Sequence, residues 1–225
     1  MAAQNDGRAL MLRTPHLALF LARSNTGKSY LMRYLLYQLA RAQRFSWITV
    51  ISPTSVYNGE WDFVGTENVT DVFSEKWIFA IMKAMGEHRK IDPTYEGLII
   101  LDDCLDAVKL DNKALLQLYR GGRHYGISVW VSSQHLMSRD TSKLRSQTNY
   151  CFAFKQPDKS IEAMQSAWLP EGVQDWKELR DRLKVATQDH GCLCINNRED
   201  GALYTIRAPA NEIRYVLNIS KKKKV

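Results

Sequence analysis

The stretch LALFLARSNTGKSYLMRYLL, residues 17–36, constrains the fold more than any other part of the chain. Leu17 to Ala22 is a short, fully apolar run, as expected of a strand buried on both faces of a parallel sheet. After it, Leu31, Met32, Leu35, Leu36 and Leu39 recur at helical spacing, with Arg33, Tyr34, Tyr37 and Arg41 on the other face. Between the two stands SNTGKS, Ser24 to Ser29. A loop between a strand end and a helix N-terminus turns consecutive backbone N–H groups toward one point, where a phosphate can sit. Ala22 occupies the position where the pattern GxxxxGK[ST] has its first glycine. The strand-to-loop turn must therefore be made around a Cβ, and a negative φ is expected at Ala22.

The remainder alternates in the same way. Strands are predicted at Trp47 to Ile51, Gly97 to Leu101, Ile127 to Ser132 and Asn149 to Phe154, separated by helical patterns. Such alternation implies an α/β domain, a parallel sheet with helices on both faces. Ser74 is placed to cap a helix running to about His88, and Gly121-Gly122 ends one that begins near Asp111. Near the C-terminus, Gly191 to Ile195 and Ala202 to Ile206 flank NNREDG and read as a β-hairpin added to the sheet. At 225 residues a single domain over residues 1–220 is expected, followed by a basic tail at 221–225.

In SNTGKS, Gly27 lets the backbone approach, Lys28 can reach β and γ phosphates, and the Ser29 hydroxyl can ligate Mg²⁺. The candidate nucleotide-binding residues are Ser24, Asn25, Thr26, Gly27, Lys28, Ser29 and Tyr30. EGLIILDDC, Glu96 to Cys104, is a second apolar strand that ends in two acids, at the edge where open α/β sheets bind ligands. There Asp102 can hold Mg²⁺ with Ser29, and Asp103 can orient and deprotonate a water facing the γ phosphate; solvated strand-end acids are the alternative. ISVWVSSQ, Ile127 to Gln134, ends in an amide, so Gln134 is either a sensor of the γ phosphate and attacking water or a surface turn residue. Just before it, LYRGGRHYG carries Arg120 and Arg123 around a glycine pair. Either arginine could reach a neighbouring subunit's phosphate, or both could be plain surface residues. His124, His135 and His190 lack ligand spacing, and the tryptophans, Trp61 among them, read as packing.

Composition narrows the class further. No apolar run approaches the roughly 18–20 residues that span a bilayer, and Met1 to Leu10 lacks a signal peptide's hydrophobic segment, so an intracellular protein without a membrane partner is expected. The four cysteines are too few and too irregularly spaced for a disulfide framework, and Cys192 and Cys194 read as two side chains on one face of a buried strand. The net charge of +7 includes Lys221 to Lys224, which leaves +3 for the body (7 minus 4). That tail could contact phosphates, serve as a nuclear import signal, or be a neutral or vector-derived remnant.

SNTGKS, the VISPT that ends the next strand, LIILDDC and GRHYGISVWVSSQ, in that order, resemble the genome-packaging ATPases of poxviruses and other large DNA viruses, a branch of the FtsK/HerA motor superfamily. The resemblance spans about Leu17 to Lys155. It implies a P-loop NTPase of the ASCE/RecA-like type, three layers around a mainly parallel sheet, binding ATP and Mg²⁺ between the subunits of a ring, commonly a hexamer. Such a ring drives DNA, single- or double-stranded, into a viral capsid, within the virion or the host cell. It assigns Lys28 and Ser29 to phosphate and Mg²⁺, Asp102 to Mg²⁺, Asp103 to the catalytic base, Gln134 to the sensor, and an arginine of the GGRH loop to a finger acting in trans. Two features depart from the wider pattern: Ala22 in place of glycine, and an aspartate base where many relatives outside this branch use glutamate. A P-loop small-molecule kinase is the alternative enzyme, disfavoured by Asp103 and Gln134. A nucleotide-binding scaffold with little turnover is the alternative outside catalysis.

Overall fold

The computed structural model describes residues 12–23, 25–42, 44–104, 112–134 and 144–209. Ser24, the start of the helix expected near Asp111, His135 and the lysine tail lie outside the described residues. The chain begins with β1 (Leu17–Leu21), α1 (Lys28–Arg41), β2 (Trp47–Ile51), the short α2 (Ser55–Asn58), β3 (Val69–Thr70) and α3 (Glu75–Ile91). It continues through β4 (Gly97–Leu101), α4 (Lys113–Gly121), β5 (Ile127–Ser133) and β6 (Tyr150–Ala153). Two helices, α5 (Asp158–Trp168) and α6 (Trp176–Ala186), lead to the hairpin β7 (Cys192–Asn196) and β8 (Ala202–Ile206).

All eight strands join one sheet in the order β3-β2-β4-β5-β1-β6-β7-β8. The first six in that order run parallel, and β7 and β8 add on antiparallel beside β6. Every residue of β1, β4, β6 and β7 is buried, which is why these strands are apolar almost throughout, Asn196 at the end of β7 being polar. Side chains alternate between two cores. Leu19, Leu21, Ile99, Leu101, Val129 and Val131 face α3 to α6, whereas Ala18, Phe20, Leu98, Ile100 and Trp130 face Leu31, Met32, Leu35 and Leu36 of α1. Cys192 and Cys194 share the α1 side of β7, as their spacing requires.

Local chemistry sets the element ends. The Ser74 hydroxyl accepts from the Trp77 N–H at 3.3 Å, and Asn112 Oδ1 accepts from the Ala114 and Leu115 N–H groups at 3.0 and 3.1 Å. Each cap stabilises its helix by about 1 kcal/mol. Gly97 pairs with Trp47 on the neighbouring strand, and a Cβ there would lie 2.0 Å from the indole, so only glycine lets the ring cross. Among the described residues, no helix is long and apolar enough to cross a membrane.

Candidate active site

Parallel pairing brings the carboxyl ends of β1, β4 and β5 side by side, and the loop before α1 closes over them. Ala22 is buried and donates its N–H to the Ser133 carbonyl at 3.0 Å, which extends strand pairing by one residue past β1. Its φ is negative, as expected. The left-handed turns fall instead on Asn25 (φ 62°) and Gly27 (φ 95°). Gly27 caps α1, and a Cβ on it would approach the Cβ of His190 to 3.1 Å. Glycine is thus required at 27 by its backbone angle, and a Cβ would in addition press on His190. Thr26 closes the loop internally by donating its hydroxyl to the Arg23 carbonyl at 2.8 Å.

The first residue of α1 places Lys28 over the sheet edge. Its Nζ donates to Asp102 Oδ1 and Asp103 Oδ1, both at 2.8 Å, and to the Ser132 hydroxyl at 3.1 Å. Burial pulls the Lys28 pKa down, but the Asp102 charge and the hydrogen bonds to both carboxylates more than reverse this and hold it above the ordinary lysine value. Asp102 is 1% exposed and satisfied on both oxygens. Oδ1 also accepts from Ser132 Oγ at 2.7 Å, and Oδ2 accepts from the Trp61 indole N–H at 2.9 Å. Asp103 is more open and sits at φ 50°, a left-handed angle that aspartate tolerates; its N–H donates to Ser132 Oγ at 2.9 Å. Next in sequence, Cys104 is buried with its thiol pushed up to about 12 by desolvation and then by the two carboxylates, so it is no nucleophile.

Lys28, Asp102 and Asp103, predicted from two motifs, are therefore in direct contact. Two carboxylates against one ammonium leave a formal surplus of one negative charge, and the hard oxygens of Asp102 and of Ser29, which follows Lys28 in the first turn of α1, are the donor type that Mg²⁺ takes beside phosphates. The residues fit that ion. The other predicted residues are placed differently. Tyr30, in the first turn of α1, donates its hydroxyl to the Pro209 carbonyl and so ties the end of the hairpin to this helix. Gln134 is exposed, one residue past the end of β5. Arg120 and Arg123 are exposed at the other edge of the sheet, where β5 begins, away from Lys28 of their own chain.

Ser132 and Trp61 complete the cluster and escape a sequence reading. Ser132 is one of three serines in β5, with Ser128 buried beside it, so nothing in the sequence singles it out. Trp61 lies 41 positions before the acid it touches. Gln156, whose amide donates to the Leu21 carbonyl at 2.9 Å, fixes the end of β1 from the β6 side. His190, read as ordinary, packs on the phosphate loop.

Known proteins bear on this arrangement. Over 101 residues the chain is 35% identical to uncharacterized protein 015R of Frog virus 3, a match covering 44% of this chain and 31% of that protein's length. Its fold is similar to that of the genome packaging NTPase B204 of Sulfolobus turreted icosahedral virus 2 in complex with AMP, with a TM-score of 0.59 and 15% identity, covering 88% of this chain and 100% of that one. The cytoplasmic domain of the Thermomonospora curvata type VII secretion ATPase EccC is also similar, with a TM-score of 0.53 and 17% identity over 81% of this chain and 24% of that one. These likenesses identify the architecture as that of the P-loop NTPases. The family described as Poxvirus A32 protein matches residues 5–174, well over half of the sequence, and the chain belongs to that family.

Proposed function

We propose that this chain is an ATP-hydrolysing motor that moves DNA into a viral capsid. The contact of Lys28 with Asp102, Asp103 and Ser132 carries the reading, because it gathers a phosphate-binding cation, a metal-binding acid and a candidate base at one sheet edge. Membership of the A32 family and the likeness to a genome packaging NTPase support the viral setting, in the virion or the host cell.

ATP is bound by the backbone of residues 24–28 and by Lys28, which exchanges its carboxylate partners for the β and γ phosphates. Ser29 and Asp102 would hold Mg²⁺, whose charge would offset that of the phosphates. Freed from Lys28, Asp103 turns its carboxylate to a water and takes its proton, while Gln134 orients the same water and the γ phosphate. A ring of subunits, with six as the expected number, lets Arg123 or Arg120 serve a neighbour's nucleotide. Lys221 to Lys224 add a sequence-independent contact to DNA phosphates or an import signal.

ATP turnover with and without DNA tests the reading, with Lys28→Ala as the control. DNA raises turnover in a motor, and the variant loses it by about 100-fold or more while staying folded, since its role is charge neutralisation. Turnover that needs a small acceptor molecule would indicate a kinase. Turnover at background would indicate a scaffold.

A further inference from the structure

We propose that Trp61 is a positioning residue of the metal site: its indole N–H tethers Asp102 Oδ2, so the carboxylate keeps its orientation when nucleotide draws Lys28 away. The proposal rests on the reading of Asp102 as the Mg²⁺ acid. Trp61 is fully buried, and its N–H donates to Oδ2 at 2.9 Å while Oδ1 receives Lys28 at 2.8 Å and Ser132 at 2.7 Å. The two oxygens thus have separate tasks. Phosphates compete for the Lys28 ammonium and so open one side of Oδ1, where a metal ion takes oxygen ligands. Oδ2 is held by an uncharged donor that no phosphate attracts.

The tether is itself anchored to the nucleotide-binding helix. The Trp61 N–H of the backbone donates to Ser55 Oγ at 3.3 Å, and its ring stacks on Phe63 with centroids 5.7 Å apart. Arg33 of α1 lies over the Phe63 ring at 5.5 Å and donates to the Glu60 carbonyl. The helix that starts at Lys28 therefore also fixes the segment that carries Trp61. A fully buried indole N–H needs a partner, and Asp102 Oδ2 is that partner here.

Full-length protein carrying Trp61→Phe, and protein with benzothienylalanine at position 61, in which sulfur replaces the indole N–H, are compared with wild type. Affinity for a fluorescent ATP analogue is measured with Mg²⁺ and with EDTA. Loss of an outer hydrogen bond to a metal ligand lowers metal affinity or activity by about 10- to 100-fold. The Mg²⁺-dependent gain in affinity should fall by that factor while affinity in EDTA stays at the wild-type value. Should Trp61→Phe fail to fold, the isosteric residue decides. An unchanged Mg²⁺ gain in the isostere, or equal losses with Mg²⁺ and EDTA, would overturn the tether. A wild-type protein that binds nucleotide without any Mg²⁺ gain would overturn the metal assignment of Asp102 and the tether with it.

Discussion

Ser132 carries more of the site's geometry than any residue the motifs point to. Its hydroxyl donates to Asp102, accepts from the Asp103 N–H and contacts Lys28, so one oxygen sets the spacing of both acids and the lysine. That N–H bond is made by a residue in the left-handed region, Asp103 at φ 50°. Ser132→Ala leaves a backbone N–H and a buried carboxylate oxygen short of a partner, a loss of about 1–3 kcal/mol by urea denaturation. The same change should lower kcat by at least tenfold with ATP affinity preserved, because Asp103 loses its aim and the phosphate loop is untouched. Wild-type kcat in a folded Ser132→Ala protein would show that Asp103 is oriented by other groups. Lys28, Asp102 and Asp103 are legible in sequence because each stands where an apolar run meets a loop. Ser132 and Trp61 are not, since what matters about them is a contact made across strands and an irregular segment.

At the scale of elements, strand positions are legible wherever burial on both faces leaves an apolar run bounded by polar residues. Trp47–Ile51 and Gly97–Leu101 fall where expected, and the Asn149 to Phe154 reading shortens by one residue at each end. β3 has two residues and α2 four, too few to show a period. His16 illustrates what pattern cannot reveal. It precedes β1, its N–H donates to Ser128 Oγ at 3.1 Å, and its Nε2 accepts from the Trp130 indole at 2.8 Å, which pins β1 to β5. Burial, and then the nearby charge of Arg198, lower its pKa from 6.5 to about 3 against a raising backbone contact from Arg13. Below about pH 6.5 the unfolded chain binds a proton that the native state refuses, so stability falls as pH falls. Relative to His16→Asn, the wild type should lose about 2 kcal/mol between pH 6.5 and pH 5, at about 1.4 kcal/mol per unit. Parallel urea midpoints for the two proteins across that range would assign the acid sensitivity to another group.

At the scale of the whole molecule, the sheet separates the two halves of the proposed chemistry. Lys28 and the acids lie where β4 and β5 end, and Arg123 lies before β5 begins. Seven residues of β5 at about 3.3 Å each put about 20 Å between those edges, so Arg123 cannot serve its own phosphates. If it acts, it acts on a neighbour in a ring. Arg123→Ala should then bind ATP normally and turn over slowly, because a finger in trans contributes about 10³- to 10⁵-fold in rate. Mixing with Lys28→Ala subunits sharpens the test. Those subunits keep the arginine and cannot use ATP, so hydrolysis should return at each interface where an intact phosphate loop meets an intact arginine. Two inactive proteins would regain activity together, at an optimum ratio set by how many such interfaces a ring contains. No gain at any ratio, with mixed rings confirmed by native mass measurement, would exclude Arg123 as the finger and pass the same test to Arg120.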